Sequence, residues 1–365
     1  MKKLIAENLR HYRTLLGLSQ DQVAKMMSVS VLAYKNAENA KTMPRDDFLN
    51  AACRALRIKM SDLAQSAEIP AATFLANKCK NKREEAERVE SIRRAWRRAK
   101  DIRFMLEVVS KRTVKSDMQR LASFRKSVMR DSASPAYEVR HKLWPDGLSH
   151  LETLPSALDD IGIIVCFIPF CGRAMDGFSF ETEELGCVIA VNDAPDVTCE
   201  NKIMALAHEL GHVLYGTMDR SHGSKRTGDY AEEDAKRFSR DFLLPREAFE
   251  HQWGSLGAFM PCSDKVMRIK NQYKVSYTLV IHRAIDAGYC DKNFYAGFRK
   301  CMKKRGYVGT EPVPSFVALP SGYYDTLAID AYDKDEVSLS RCAELLQTSY
   351  LEAKRMCEAR KKVNG

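Results

Sequence analysis

His208-Glu-Leu-Gly-His212 places two imidazoles and a carboxylate within five residues. Around them Ile203, Met204, Leu206, Ala207, Leu210, Val213 and Leu214 recur at helical spacing, so the segment is predicted to be a helix. Residues four apart share one face of a helix, and both imidazoles can therefore reach one metal ion. Glu209, beside the first of them, is placed to act as general base toward water. A catalytic zinc site needs three protein ligands and an open fourth position. The third must come from an element folded back onto this helix. Past Gly216 a Gly/Ser/Lys/Arg-rich stretch to Gly228 reads as loop, and Asp229 to Phe242 reads as a second helix with acidic residues in its first turn. Its inward stripe is Ala231, Ala235, Phe238 and Phe242. Glu232 lies beside that stripe, with Glu233 and Asp234 as alternative ligands. Zinc follows from the ligand types; manganese or iron would also accept two imidazoles and a carboxylate. Tyr215, His222 and Tyr230 are candidates by proximity for stabilising an oxyanion, or are structural residues.

The run from His208-Glu-Leu-Gly-His212 through Glu232-x-x-Ala235-x-x-Phe238 to Leu243-Leu244 resembles the ImmA/IrrE family of zinc peptidases. Gly177-Phe178 and Val188-Ile-Ala-Val-Asn192 are similar to that family's lead-in. The resemblance covers about residues 140 to 290 and implies that Glu232 is the third ligand. It also implies a protein substrate, a DNA-binding repressor or an antitoxin in stress, phage or mobile-element control. Two positions depart from the family pattern, Ser239 after the Phe and Leu244 before Pro245. Ahead of the motif, Ile161 to Ile168 and Val188 to Val191 read as buried strands.

A second group of residues points to nucleic acid. Ile5, Leu9, Tyr12, Leu15 and Leu16 recur at helical spacing and end at Gly17. Ser19 reads as the N-cap of a helix over Gln20 to Met27, Ser28 to Ser30 as a turn, and Val31 to Asn39 as a third helix. Another amphipathic run spans Asp46 to Leu56, and Leu63 closes the unit. Over about residues 4 to 65 this resembles the lambda-repressor-like (Xre) helix-turn-helix family, through Leu9-Arg10, Arg13, Gly17-Leu-Ser-Gln20, Val23-Ala24, Val29-Ser30, Glu38, Pro44 and Leu56. The resemblance implies that Gln20 and the start of the third helix approach DNA. That start is Val31-Leu32-Ala33, which leaves Lys35 and Asn36 as the polar donors. Ala40 stands where the family has Gly. A protein-binding or dimerising use of the same fold is the competing reading.

Between these regions lies a basic stretch. Val89, Ile92, Trp96, Ala99, Ile102, Leu106 and Val109 form a narrow stripe among arginines, suited to a long helix or a short coiled coil. It reads as a dimerising spacer whose arginines add phosphate contacts, or as a solvated helix packed on its neighbours. Ser132 to Pro135 marks a boundary. After residue 290, basic and amphipathic segments carry no evident chemistry and read as support or a docking surface.

The chain has 365 residues and a net charge of +10, which admits a polyanionic partner. Eleven Cys without a framework of spacings suit a reducing compartment. No signal-like leader or membrane-length apolar run is visible, so the expected location is cytoplasmic, with no membrane partner. The expected architecture is multidomain and mostly α. It comprises an all-α, lambda-repressor-like helix-turn-helix over 1–68, a basic helical connector over 69–135, an α+β zincin-like peptidase domain over 136–290 and a helical region over 291–365. The expected activity is a zinc-dependent peptidase with a protein substrate, with double-stranded DNA as a second partner and a homodimer as the assembly. The alternative is a helix-turn-helix regulator whose zinc site is structural or sensory.

Overall fold

The computed structural model describes residues 1–58, 60–64, 81–129, 134–146, 151–172, 175–217, 229–307, 310–312 and 322–364. It divides into one compact unit of Met1–Trp96 with Phe170–Met175, and a second of Arg97–Pro169 with Asp176–Gly365.

The first unit opens with five helices: α1 (Lys2–Leu15), α2 (Gln20–Met26), α3 (Val31–Glu38), α4 (Asp46–Leu56) and α5 (Met60–Ala64). Local chemistry sets their bounds. Gly17 turns the chain at φ +67°. Ser19 then starts α2 with a capping box, its Oγ accepting from the Gln22 amide at 3.1 Å while Gln22 Oε1 accepts from the Ser19 amide at 2.7 Å. Ser30 caps α3 with its side chain alone, its Oγ accepting from the Ala33 amide at 3.1 Å. Leu9, Val23, Ala24, Tyr34, Ala37, Ala52, Leu56 and Leu63 form the core. Leu63 is also tied back to α1, its carbonyl accepting from Asn8 Nδ2 at 3.0 Å. Ala40 takes the left-handed conformation, φ +55°, which glycine would adopt without strain.

Next comes α6 (Lys82–Ser110), which runs from the first unit into the second. In its second half Ala99, Ile102, Met105 and Leu106 are completely buried. Two of the arginines read as phosphate contacts face inward instead. Arg98 donates to the Leu345 carbonyl at 2.5 Å, and Arg103 donates to Asp117 Oδ2 at 2.8 Å and to the Leu185 carbonyl at 2.7 Å. The composition is basic, but these heads are consumed by acceptors within the chain.

The second unit continues with α7 (Val114–Met129), α8 (Pro135–Leu143), α9 (Leu154–Asp160) and the strands β1 (Ile163–Ile168), β2 (Gly177–Thr182) and β3 (Gly186–Asn192). Helices α10 (Cys199–Tyr215), α11 (Asp229–Leu243), α12 (Arg246–Ser255), α13 (Cys262–Tyr273), α14 (Tyr277–Asp286), α15 (Lys292–Lys304), α16 (Gly322–Asp333), α17 (Leu339–Leu345) and α18 (Tyr350–Asn364) follow. The sheet order is β1-β3-β2, with β3 parallel to β1 and antiparallel to β2. All seven residues of β3 are buried, which explains its continuous apolar run. Helix α10 packs on β2 and β3 and against α11. At the β1 edge the Tyr324 hydroxyl of α16 accepts from the Val165 amide at 3.4 Å and donates to Asp159 Oδ1 at 3.1 Å. Strand β2 forms the other edge, beside α10.

No helix among the described residues is long and apolar enough to cross a membrane.

Candidate metal centre

Helix α10 begins where Thr198 Oγ1 accepts from the Asn201 amide and stops at Gly216 with φ +65°. Between these caps its apolar residues face the sheet and α11. His208 and His212, one turn apart, bring their Nε2 atoms to 3.1 Å.

The glycine of the motif has a geometric role. A Cβ at Gly211 would lie 3.1 Å from Ala235 Cα and 3.2 Å from Phe238 Cδ1. The absence of a side chain at 211 and the small one at 235 let α10 and α11 approach closely. That approach brings the next turn of α11 onto the imidazoles. Glu232 Oε1 lies 3.3 Å from His208 Nε2, and Glu232 Oε2 lies 3.4 Å from His212 Nε2. Donor atoms on a tetrahedral zinc, with bonds of about 2.0–2.2 Å, lie roughly 3.3–3.5 Å apart. The three side chains present ligand atoms within 4.8 Å of one another, each carboxylate oxygen beside a different imidazole, so two imidazoles and a carboxylate are grouped as a zinc site requires.

The other acids of the first turn face elsewhere. Glu233 accepts from Lys236 Nζ at 3.1 Å, and Asp234 lines a separate cleft with Arg125, Arg237 and Asp241. Among the described residues no further His, Cys, Asp or Glu joins the three.

Thr217, just past the helix, was not legible as a functional residue. Its Oγ1 lies 2.9 Å from His212 Nδ1 and donates to the His212 carbonyl at 3.4 Å. With the hydroxyl proton directed at that carbonyl, Nδ1 is left to donate to Oγ1, so that Nε2 would be the nitrogen offered to a metal ion. Such an outer partner sets both the tautomer and the ring orientation of a ligating histidine.

Ser179 was missed as well. It lies on β2, and its Oγ donates to Glu209 Oε2 at 2.8 Å. The strand can come so near because residue 177 is glycine, where a Cβ would lie 3.2 Å from Glu209 Cγ. Glu209 is buried, and burial pushes its carboxyl above the usual range, opposed by His212, His208 and the Ser179 hydroxyl. Glu232 moves the other way. Hydrogen bonds from His208 and His212 pull it well below the usual carboxylate range against a smaller burial effect. Burial would lower His208, but the Glu232 hydrogen bond and the charges of Glu209 and Glu232 outweigh it, and His208 is raised. The two glutamates thus occupy opposed environments, one suited to stay ionised against the imidazoles and the other to exchange a proton.

Of the residues considered for an oxyanion, Tyr215 sets its ring edge-on against Phe238 and Tyr230 is 79% exposed. His222 lies outside the described residues.

In the first unit, Gln20 Nε2 donates to Glu38 Oε1 at 2.9 Å. Glu38 is buried and also receives Arg13 Nε at 2.7 Å and Nη2 at 2.8 Å. Burial would raise the Glu38 carboxyl, but Arg13 and Gln20 hold it below its ordinary value. Gln20 is thereby joined to the network that fastens α1, α2 and α3. Lys35 is exposed, its Nζ 3.9 Å from Asp21 Oδ1, and Asn36 is half-buried. Leu32, at the start of α3, is 69% exposed.

Residues 158–284 match the model of the IrrE N-terminal-like domain, a peptidase family. Residues 9–63 match the helix-turn-helix model. No curated protein matches the chain. Among solved structures, Bacillus thuringiensis PlcR in complex with the peptide PapR7 and DNA aligns at 9% identity over 97% of this chain and 91% of that one. Its TM-score of 0.21 carries no argument about fold. The chain thus joins an N-terminal helix-turn-helix domain to an IrrE N-terminal-like domain.

Proposed function

We propose that this protein is a zinc-dependent peptidase in which His208, His212 and Glu232 hold the metal and Glu209 is the general base. The carrying observation is the convergence of those three side chains at 3.1–3.4 Å with Glu209 alongside. Zinc bound there would polarise the scissile carbonyl and acidify water. Ser179 engages Oε2 of Glu209, which leaves Oε1 to take a proton from water and deliver it to the departing amine. Burial of Glu209 favours that exchange, because a carboxyl raised from its usual range is a better proton acceptor. An extended peptide would lie along the β2 edge, which runs beside Glu209.

The substrate class that the family resemblance implies is a DNA-binding repressor or an antitoxin, in the cytoplasm. The helix-turn-helix domain would bring the peptidase to DNA-bound targets. A closed structural or sensory zinc site would need a fourth protein ligand, and none joins the triad among the described residues.

The test is Glu209→Gln in the full chain, with metal content measured by mass spectrometry and cleavage measured on candidate repressors. The expected variant keeps one zinc per chain and loses cleavage. Retained cleavage would exclude Glu209 as the base, and a wild-type chain without bound metal would exclude the reading altogether.

A further inference from the structure

Helix α15 has two contrasting faces. Phe298 and Met302 are buried in the core of the second unit, and Phe294 packs against that core. From Lys292 to Arg305 there is no Asp or Glu, while Lys292, Arg299, Lys300, Lys303, Lys304 and Arg305 are all exposed. Arg299 lies over the Tyr295 ring, 5.6 Å from its centroid. Among the described residues none of the six has a carboxylate within ion-pair distance.

The contrast with α18 is instructive. There Lys354, Arg355 and Lys361 lie 3.8, 3.3 and 3.5 Å from Glu358, Glu352 and Asp333. Basic residues on that helix have carboxylates within ion-pair distance; among the described residues those on α15 have none. Six charges within 14 residues, five on the helix and Arg305 at its C-cap, with no ion-pair partner among the described residues, repel one another and cost stability. A polyanion laid along the helix removes that cost.

We propose that the exposed face of α15 is a docking surface for the phosphate backbone of duplex DNA, bound without regard to sequence. Three observations favour this partner. The six side chains are long cations suited to phosphate oxygens, with no array of hydrogen-bonding side chains that would read bases. The apolar face of α15 is spent on the core and none of its exposed residues is a large hydrophobic, so nothing is offered to a bilayer. The chain also carries a helix-turn-helix domain, a fold whose usual ligand is duplex DNA. The proposal rests on that domain engaging DNA and is independent of peptide cleavage.

The experiment measures binding of the full chain to a short labelled duplex of arbitrary sequence, by fluorescence anisotropy between about 50 and 250 mM salt. Lys300→Gln/Lys303→Gln/Lys304→Gln is compared with Lys354→Gln/Arg355→Gln/Lys361→Gln, which changes net charge equally on α18. Each lost phosphate contact lowers the slope of log affinity against log salt by about 0.9, so the α15 variant should lose about 2–3 in slope and at least about tenfold in affinity near 100 mM salt. The α18 variant should bind as wild type. A Lys35→Ala/Asn36→Ala variant reports on the helix-turn-helix separately, and the α15 effect should persist in that background. Equal losses in the α15 and α18 variants would reduce the effect to net charge and overturn the proposal. So would an unchanged α15 variant, or a wild-type chain that does not bind the duplex. Loss of binding to phosphatidylserine vesicles or polyglutamate, with duplex binding intact, would also overturn it.

Discussion

The Ser179 hydroxyl on β2 donates to Glu209 Oε2 on α10 at 2.8 Å, across 30 residues of sequence. This bond joins the β2 edge of the sheet to the candidate base. It holds the carboxylate in one rotamer beside the edge where a peptide would lie. Ser179→Ala should lower kcat about tenfold with KM and zinc content nearly unchanged, because a positioning bond acts on the reacting geometry rather than on substrate affinity. Ser179→Thr, which keeps the hydroxyl, should recover most of the activity. Steady-state kinetics on a cleavable peptide decide it, and a rise in KM alone would count against the assignment.

Thr217 should control metal affinity. Thr217→Val preserves shape but removes the acceptor for His212 Nδ1–H. Loss of such an outer partner typically weakens metal binding about 10–100-fold. Chelator competition would measure this, and the melting temperature of the metal-free protein should move little.

Gly211→Ala pits two effects against each other. Alanine raises helix propensity by about 1 kcal/mol. Its Cβ, however, would press on Ala235 Cα at 3.1 Å, a backbone atom that cannot swing aside. Overpacking costs about 1–3 kcal/mol, so a net loss of thermal stability is expected. Zinc affinity should fall with it, because α11 carries Glu232. An unchanged melting temperature and unchanged zinc affinity would show that the two helices tolerate separation.

Asp117 makes the acid side of the stability profile predictable. It is fully buried and receives Arg103 at 2.8 Å, Arg112 at 3.2 Å and Arg120 at 2.5 Å. Burial alone would raise its carboxyl, but Arg103 and Arg112 outweigh burial and hold it below the ordinary value. A depressed folded value means the unfolded chain binds the proton more readily. The stabilisation is therefore complete above about pH 4, the unfolded value, and is lost as pH falls through the folded value. Asp117→Asn should cost about 3–5 kcal/mol at neutral pH, since it strands buried guanidinium groups. The gap to wild type should narrow below about pH 4. Denaturant titrations at several pH values test this, and a gap that widens on acidification would reverse the sign.

Much of this protein was legible locally. Ser19 announced the start of α2 because a capping side chain bonds backbone only three residues ahead; Ser30, read as part of a turn, caps α3 by the same kind of bond. The apolar rhythm around His208 and His212 placed both imidazoles on one face, since a helix repeats every 3.6 residues whatever surrounds it. The run from Val188 to Val191 marked the central strand because both of its faces are covered. Strand β2 escaped notice: it is a short edge strand whose pattern, Gly-Phe-Ser-Phe-Glu-Thr, lacks a continuous apolar run. The basic stretch around Arg98 and Arg103 misled in the opposite direction, since composition records a charge but not the acceptor that neutralises it.

By itself the sequence determined the helices of the N-terminal unit, the Ser19 cap, the helix around the motif and the pairing of His208 with His212, all consequences of bonds and periodicities spanning a few residues. Only the tertiary structure decided that Glu232, rather than Glu233 or Asp234, meets those imidazoles. Neighbouring residues on a helix point about 100° apart, and the close approach of Gly211 to Ala235 selects which of them faces the site. The same packing brought Ser179 to Glu209 and turned Thr217 back onto His212. The Ser179 bond crosses from strand to helix, and the Thr217 bond depends on the path of the chain beyond the helix cap, so neither leaves a mark in local pattern.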